Sequence, residues 1–219
     1  LAGLASRLET HPKGFLLALE GLDGSGKSTQ ARLVRDTLLR RGLAVTSLRE
    51  PTDATEWGRI IRGSAPGAAR RAPREELELF LKDRAWDVGF NILPALEAGG
   101  TAVLDRYVLS SVSYQGALGI APREILEASL GFPWPDLTVI LDLGSPEKGL
   151  ERIRTGRGAP DLSFENAPYL AKVREALALA ADLPGVEFVD ATIPERELAE
   201  RISAMALEAM RLKASKNSC

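Results

Sequence analysis

A glycine-rich segment that ends in a lysine and two hydroxyl residues occupies positions 21–29. It reads GLDGSGKST and fits the pattern GxxxxGK[ST]. Glycines in such a segment let backbone N–H groups converge on phosphate oxygens, and a helix that begins there adds the positive end of its dipole. The segment therefore predicts a nucleotide-binding phosphate loop, formed by Gly21, Leu22, Asp23, Gly24, Ser25, Gly26, Lys27, Ser28 and Thr29.

Lys27 and Ser28 predict how this loop would meet a triphosphate. The lysine would reach the β- and γ-phosphates, and the serine hydroxyl would join the coordination shell of a Mg²⁺ ion. A second oxygen ligand usually comes from the end of a neighbouring strand, and Asp105 ends the apolar run 101–104. We therefore expect Asp105 to complete the Mg²⁺ site, acting through water. The alternative is that Asp105 only caps the helix that follows it.

Three groups of arginines stand next to acids or aromatic residues further along the chain. They are residues 49–51 (REP), residues 83–84 (DR) and residues 105–107 (DRY). Guanidinium groups bind phosphate and carboxylate groups through paired hydrogen bonds, and each arginine lies where a second nucleotide could bind. The chain has no Asn-Lys-x-Asp signature, which argues against a GTPase-like switch.

The elements that must position these residues alternate along the chain. Apolar runs bounded by turn residues predict strands at 15–19, 44–48, 101–104, 137–141 and 186–189. Amphipathic patterns predict helices at 27–41, 73–98, 122–130, 166–182 and 194–212. The alternation indicates an α/β fold with a five-stranded parallel sheet flanked by helices. It also places the phosphate loop between a strand and a helix, as the motif requires.

The length of 219 residues fits one domain, which we predict at residues 15–212. Residues 1–14 are expected to form a loosely ordered N-terminal extension, and residues 213–219 a loosely ordered tail. The stretch 62–74, rich in Ala, Gly, Pro and Arg, is interpreted as a mobile connection within the domain.

The composition argues against several classes of protein. A net charge of −2 gives no general reason to expect nucleic acid or an anionic membrane as partner. One cysteine and one histidine exclude a disulfide framework and a zinc site of Cys and His ligands. We find no segment with the pattern of a signal peptide or membrane span, so we expect a cytoplasmic protein.

On its motifs the chain resembles the thymidylate kinases, over the range from Phe15 to about Met210. That family has an acid inside the phosphate loop, an Arg-Glu-Pro turn and a Phe-x-x-x-Arg helix, which correspond here to Asp23, residues 49–51 and residues 80–84. It also has Asp-Arg-Tyr followed by Ser-Ser and Tyr-Gln-Gly, found here at 105–107, 110–111 and 114–116. The resemblance implies a P-loop kinase fold with a short lid, and transfer of the γ-phosphoryl group of ATP to dTMP in dTTP synthesis. It further implies Mg²⁺ as cofactor and a homodimer.

The resemblance also implies roles for single residues. Phe80 would stack on thymine, Arg84 and Gln115 would bind the base, and Arg106 and Arg49 would hold the dTMP phosphate. Asp23 would accept a hydrogen bond from the sugar 3'-hydroxyl, and Tyr107 would pack under the deoxyribose. The complete implied dTMP site is Asp23, Arg49, Glu50, Pro51, Phe80, Arg84, Arg106, Tyr107, Ser110, Ser111, Tyr114 and Gln115. Asp190 and Ala191, together with the phosphate loop, would form the ATP site.

Phosphoryl transfer requires cations around the transferred group, so we expect Lys27, Arg106 and a lid arginine to be catalytic. Family members without an arginine in the phosphate loop carry one in the lid, which corresponds here to residues 152–165. Arg157 is the first candidate and Arg154 the second. The family's Asp-Arg-x-Glu is replaced by DLSFE at 161–165, which leaves the choice between them open.

Two further departures from the family keep alternative functions open. Residues 52–55 read TDAT where Gly-Gly-Thr is common, and Trp86-Asp87 replaces smaller or polar residues after Arg84. The alternatives are a kinase of another nucleoside monophosphate or of a deoxynucleoside, and a non-catalytic relative that binds ATP and dTMP. Screening of acceptors separates the first from the main hypothesis, and binding without ADP release would reveal the second.

Overall fold

The computed structural model describes residues 2–63, 71–156 and 165–217. Its strands form one sheet in the order β2-β3-β1-β4-β5, and every pair of neighbours is parallel. The strands are β1 (Phe15–Gly21), β2 (Val45–Arg49), β3 (Thr101–Asp105), β4 (Leu137–Asp142) and β5 (Val186–Asp190). The predicted five-stranded parallel sheet is thus confirmed, with β1 at its centre. In open sheets of this kind, ligands bind at the carboxyl ends of the strands.

Helices cover both faces of the sheet. They are α1 (Ala2–Ala5), α2 (Lys27–Arg40), α3 (Glu56–Arg62), α4 (Pro73–Asp87), α5 (Leu93–Glu97), α6 (Val108–Tyr114), α7 (Pro122–Ala128), α8 (Pro146–Gly156), α9 (Ala167–Ala178) and α10 (Glu195–Asn217). Leu16 and Ala18 of β1 join one apolar cluster, while Leu17 and Leu19 join the cluster on the opposite face. Because both faces are buried, the strand reads as a continuous apolar run instead of an alternating one. No helix within the described part of the chain has the length and apolar character to cross a membrane.

The long helix predicted at 73–98 is interrupted in the structure. Helix α4 ends at Asp87, a π-helical turn spans Val88–Ile92, and α5 begins at Leu93. Pro94 in the first turn of α5 explains the break, because proline lacks the N–H that a continuous helix would use and clashes with the carbonyl four residues earlier. The short helices α3, α6 and α8 were not predicted, and α8 extends through the start of the expected lid.

The terminal segments differ from the expectation of loose order. Leu4 of α1 is buried in the core, and α1 packs against α7. Helix α10 continues to Asn217, and the Lys213 ammonium group lies 2.7 Å from the carboxylate of Asp136. The same ammonium group donates a hydrogen bond to the carbonyl of His11. A buried leucine and an ion pair between largely buried side chains therefore hold both segments against the rest of the fold.

Candidate active site

The phosphate loop lies between β1 and α2, as predicted. Gly24 has a φ of 79°, and a Cβ atom there would lie 2.2 Å from the carbonyl oxygen of Gly149 in α8. Only glycine fits such a left-handed backbone at so close an approach. Gly26, with a φ of 96°, is the N-cap of α2. The loop backbone is therefore held between the first turn of α2 and the backbone of α8.

The side chain of Lys27 folds back onto the phosphate loop, and its ammonium group lies against the loop backbone. It donates hydrogen bonds to the carbonyls of Gly21 at 2.9 Å and Leu22 at 2.7 Å. Burial lowers the pKa of Lys27 to about 8, and the nearby charge of Arg106 acts in the same direction. A buried cation held only by neutral carbonyls would bind an incoming phosphate strongly.

Ser28 and Asp105, the predicted metal ligands, are in contact. The Ser28 hydroxyl donates to Asp105 Oδ2 at 2.5 Å, and the parallel pairing of β1 with β3 brings the two together. Asp105 Oδ1 is buried and has no hydrogen-bond partner among the described residues. An orphaned carboxylate oxygen beside a serine hydroxyl fits a hard divalent cation. The contacts do not support the alternative role of Asp105 as a helix cap. The amides of Tyr107 and Ser110, at the start of α6, donate to Glu20 instead.

Asp23, Arg106 and Tyr114 form a second cluster beside the loop. An Arg106 guanidinium nitrogen donates to Asp23 Oδ1, and the Tyr114 hydroxyl donates to Asp23 Oδ2 at 3.0 Å. The guanidinium carbon lies 5.1 Å from the centre of the Tyr114 ring. Burial alone would lower the pKa of Arg106, but Asp23, Tyr114 and Asp105 together outweigh it and raise that pKa. Arg106 thus stays charged and points at the loop.

Arg84 is almost completely buried on α4. Its Nε donates to Glu50 Oε2 at 2.8 Å, and its Nη2 donates to the carbonyl of Tyr107 and the hydroxyl of Ser111. Burial raises the pKa of Glu50 to about 8, although Arg84 opposes the shift. In the part of the chain that the structure describes, Arg84 Nη1, Glu50 Oε1 and Gln115 Oε1 have no hydrogen-bond partner. Buried groups of this kind are normally satisfied, so they suggest a polar ligand.

Asp83, the neighbour of Arg84, holds the loop that departs from the family. Its carboxylate accepts hydrogen bonds from the Thr52 amide at 2.6 Å, the Thr52 hydroxyl at 2.7 Å and the Thr55 hydroxyl at 2.5 Å. Thr55 in turn caps the start of α3 by accepting from the amide of Gly58. The turn that carries Arg49 is therefore tied to the helix that carries Arg84.

An open cleft of about 250 Å³ lies along the phosphate loop and reaches Arg49, Arg106 and Arg152, but not Arg84. Its charged and metal-ligating lining is Asp23, Lys27, Ser28, Arg49, Asp105, Arg106 and Arg152. The cations in this lining outnumber the acids, which suits a ligand rich in phosphate. Arg152 was not predicted as a site residue. It lies in α8 and also donates to the carbonyl of Ala191 at 2.9 Å, so it joins the cleft to the predicted adenine segment.

Other predicted residues occupy less direct positions. Phe80 is half-buried on α4, one turn before Arg84. Tyr107 is completely buried, and its hydroxyl donates to the carbonyl of Pro133, away from the lining of the cleft. Asp190 ends β5 and accepts from the amide and hydroxyl of Thr192. Arg154 is exposed on α8, and Arg157 lies outside the described residues.

Comparison with known proteins agrees with the motifs. A family model described as thymidylate kinase matches residues 19–202. A probable thymidylate kinase of Archaeoglobus fulgidus is 43% identical over 205 residues, which cover 93% of this chain and 100% of the relative. A thymidylate kinase of Xanthomonas euvesicatoria is 40% identical, with 93% of this chain and 88% of the relative covered. One of Xylella fastidiosa is 37% identical, with 92% and 91% covered.

Proposed function

The chain belongs to the thymidylate kinase family, and we propose that its cleft transfers the γ-phosphoryl group of ATP to dTMP, giving ADP and dTDP. The observation that carries this proposal is the lining of the cleft, where Lys27, Arg49, Arg106 and Arg152 surround the Ser28–Asp105 pair. Such a concentration of cations compensates for two phosphate-bearing substrates that would otherwise repel each other.

ATP is proposed to bind along the phosphate loop and α8. The loop amides and the N-terminus of α2 would take the β- and γ-phosphates, and Lys27 would exchange its two carbonyl partners for phosphate oxygens. The adenine would lie near Asp190 and Ala191, and the hydrogen bond from Arg152 to Ala191 supports this placement by joining that segment to the cleft.

Mg²⁺ is the proposed cofactor, and the donor set fits it. Among the described residues no group of three or more His, Cys, Asp and Glu side chains could hold a metal. Mg²⁺ commonly binds through one carboxylate, waters and substrate phosphates, so Ser28 and Asp105 suffice on the protein side. When bound, the ion neutralises charge on the β- and γ-phosphates.

The acceptor side is proposed to hold dTMP between the arginines of the cleft and the buried polar groups behind them. Arg49 and Arg106 would bind the phosphate, and Arg84 and Gln115 would use their unpartnered polar atoms on the base. The remaining implied contacts, including Phe80 on the thymine ring and Asp23 on the sugar, stay proposals. Glu50 would not need to touch the substrate, because its bond to Arg84 fixes that guanidinium group.

The reaction proposed is an in-line displacement without a covalent enzyme intermediate. A phosphate oxygen of dTMP attacks the γ-phosphorus, a new P–O bond forms, and the bond to the β,γ-bridging oxygen breaks to release ADP. Lys27 and Arg106 offset the negative charge that spreads over the transferred group. A lid arginine would add to them, with Arg157 the first candidate and Arg154 the second.

A homodimer in the cytoplasm is the proposed setting. Phe90 in the π-helical turn is 68% exposed, and its ring stacks on Trp86 with 5.0 Å between ring centres. An exposed aromatic pair of this size supports a self-association surface on this side of α4. The single cysteine of the sequence is consistent with a reducing compartment. Sedimentation at several protein concentrations, with Phe90→Ser as the variant, tests the dimer.

The function is tested by ADP release from ATP and Mg²⁺ with dTMP, dUMP, dCMP, dAMP, dGMP and thymidine in parallel. Strong turnover with dTMP that disappears in Lys27→Ala is the expected result. Turnover with another acceptor alone would keep the kinase but replace the substrate. Thermal stabilisation by ATP and dTMP without any ADP release would point to a non-catalytic binding protein.

A further inference from the structure

Glu20 is a buried carboxylate beside the phosphate loop that the family motifs quoted above do not include. It is the penultimate residue of β1 and is 1% exposed. Its Oε1 accepts hydrogen bonds from the amides of Tyr107 at 2.8 Å and Ser110 at 3.0 Å, and its Oε2 accepts from the Ser110 hydroxyl at 2.5 Å. All three bonds therefore go to one short segment, where β3 passes into α6.

These bonds hold the start of α6: one goes to the amide of the N-cap residue Tyr107, and one caps the amide of Ser110, the third residue of the helix. The first amides of a helix have no partner within the helix, and they are usually satisfied by the side chain of the N-cap residue. Here the N-cap is Tyr107, whose hydroxyl is directed to Pro133 instead. Glu20 performs the capping from a different strand, and a negative charge at a helix N-terminus is electrostatically favourable.

The residue next to this cap has an unusual backbone. Arg106 has a φ of 77°, a left-handed conformation that a residue other than glycine keeps only when its surroundings hold it. The Arg106 amide donates to the carbonyl of Leu19 at 3.0 Å, and the next amide donates to Glu20. Two consecutive residues of β1 thus fix two consecutive residues of the corner, which directs the Arg106 side chain at Asp23.

We propose that Glu20 is a positioning residue for the acceptor half of the site. Its carboxylate fixes the corner at Arg106 and the first turn of α6, so that Arg106 meets the acceptor phosphate and Gln115, just after α6, meets the base. Glu20 acts through these residues and does not touch substrate. The inference rests on the proposed function, because it assigns Arg106 and Gln115 to dTMP.

The electrostatic surroundings agree with this role. Burial raises the pKa of Glu20, while the Ser110 hydroxyl, Arg106 and the two amides lower it. Lys27 is also within electrostatic range, because Glu20 raises its pKa slightly against the effect of burial. Glu20 could therefore act on the ATP side through Lys27, and the experiment has to separate that route from the one through α6.

The test uses Glu20→Leu, Glu20→Gln and a matched control, Asp136→Asn. Asp136 is another buried carboxylate that accepts an amide hydrogen bond from β1, from Leu16 at 2.9 Å, but it lies at the opposite end of the strand from the site. For each protein, KM and kcat are measured separately for dTMP and ATP. Thermal unfolding and hydrogen exchange of residues 106–114 are also measured.

In Glu20→Leu we expect kcat/KM for dTMP to fall by about 10²-fold, as small misplacements of substrate-positioning groups do, with KM for ATP within about threefold of wild type. Residues 106–114 should exchange faster. Glu20→Gln keeps an oxygen for the two amides and should recover to within about tenfold of wild type. Asp136→Asn should lower the unfolding temperature without changing kcat/KM or the exchange of residues 106–114.

Three outcomes would overturn the inference. One is an equal effect of Glu20→Leu on dTMP and ATP, which would place the action at Lys27. Another is the same pattern in Asp136→Asn, which would make Glu20 a stability residue only. The third is unchanged exchange of residues 106–114. If Glu20→Leu does not fold, Glu20→Gln decides through the comparison of kcat/KM for dTMP and ATP and through the exchange of residues 106–114. Wild-type protein without dTMP turnover would instead refute the proposed function, and the exchange experiment would still judge the capping role.

Discussion

The phosphate loop and the acceptor side of the cleft differ in the groups that form them. The loop is one continuous segment, residues 21–29, and it would grip phosphate with backbone amides and one lysine. The acceptor side is assembled from buried side-chain pairs that lie far apart in the sequence, such as Glu50 with Arg84 and Glu20 with Ser110. A local motif therefore makes the donor half, whereas only the completed fold makes the acceptor half.

The two halves also differ in the free energy that it costs to bury their polar groups. Backbone groups at a helix N-terminus cost little to bury, because the helix aligns their dipoles in any case. Buried charges such as Arg84 are expensive unless each keeps its partner, and loss of one partner typically costs about 3–5 kcal/mol. Substitutions in the donor half should therefore change chemistry alone, while those in the acceptor half should change chemistry and stability together.

The largest effect should come from Lys27→Ala in the donor half. We expect kcat to fall by about 10³-fold, because the cation that offsets charge on the β- and γ-phosphates is lost. The unfolding temperature should change by only a few degrees, since Lys27 is buried with only neutral carbonyls as hydrogen-bond partners. ADP release and thermal unfolding check both parts, and a large loss of stability would break the contrast between the halves.

Arg84→Met tests the acceptor half. It removes the hydrogen bonds of Arg84 to Glu50, to the carbonyl of Tyr107 and to the hydroxyl of Ser111, so we expect the free energy of unfolding to fall by about 1–3 kcal/mol for each buried group left unsatisfied. We expect kcat/KM for dTMP to fall by about 10²-fold. The double variant Arg84→Met/Glu50→Leu also removes the unsatisfied carboxyl group and should regain part of the stability without regaining activity. Denaturant unfolding and steady-state kinetics measure the two effects, and joint recovery of both would contradict the assigned role.

Gly149→Ala tests whether the conformation of the phosphate loop depends on α8, a helix outside the loop segment. A Cβ atom at Gly149 would lie 2.5 Å from the carbonyl oxygen of Asp23, so the loop or α8 would have to shift. We expect kcat/KM for ATP to fall by about tenfold and stability to fall by about 1–3 kcal/mol. Gly3→Ala is the control, a helical glycine with no described heavy atom within 4 Å of a Cβ there. Equal kinetics for the two variants would show that α8 does not support the loop.

The smallest effect near neutral pH should come from titration of Lys27. Burial lowers the pKa of Lys27 to about 8, so the free enzyme carries this charge below that pH and loses it above. The kcat/KM for ATP should therefore fall about tenfold per pH unit above pH 8. In Lys27→Arg the residual activity should not show this fall, because arginine stays protonated. A wild-type profile that is flat to pH 10 would refute the assignment.

The sequence predicted the position of the phosphate loop because its motif is local, whereas the ATP contacts of the loop remain proposals. The phosphate loop follows a strand and opens a helix, and Ser28 meets Asp105 because neighbouring parallel strands bring their carboxyl ends together. The five strands were confirmed within about two residues. The three central strands β1, β3 and β4 are buried almost throughout, and such runs are readable as continuous apolar segments.

The acceptor half was predicted only as a set of residues, and their individual roles remain proposals. Asp83 is adjacent to Arg84 in the sequence, but its carboxylate bonds to Thr52 in the loop, a contact that depends on how α4 packs. Glu20 lies between the strand predicted at 15–19 and the phosphate loop, and no motif singled it out. Pro94 itself is a local signal for the interruption of the helix predicted at 73–98, although the helical pattern ran across it. The lid candidate Arg157 lies outside the described residues.

The strand order has a consequence for synthesis of the chain. β1 is made first among the strands, yet it pairs only with β3 and β4, which the ribosome produces much later. Its apolar stretch, including Leu16 and Leu17, has no partner strand until residues up to 105 have emerged, and lacks its second partner until residue 141. Contacts of such long range form slowly. The nascent chain should be most dependent on chaperones during that interval, before the central strand of the sheet acquires its neighbours.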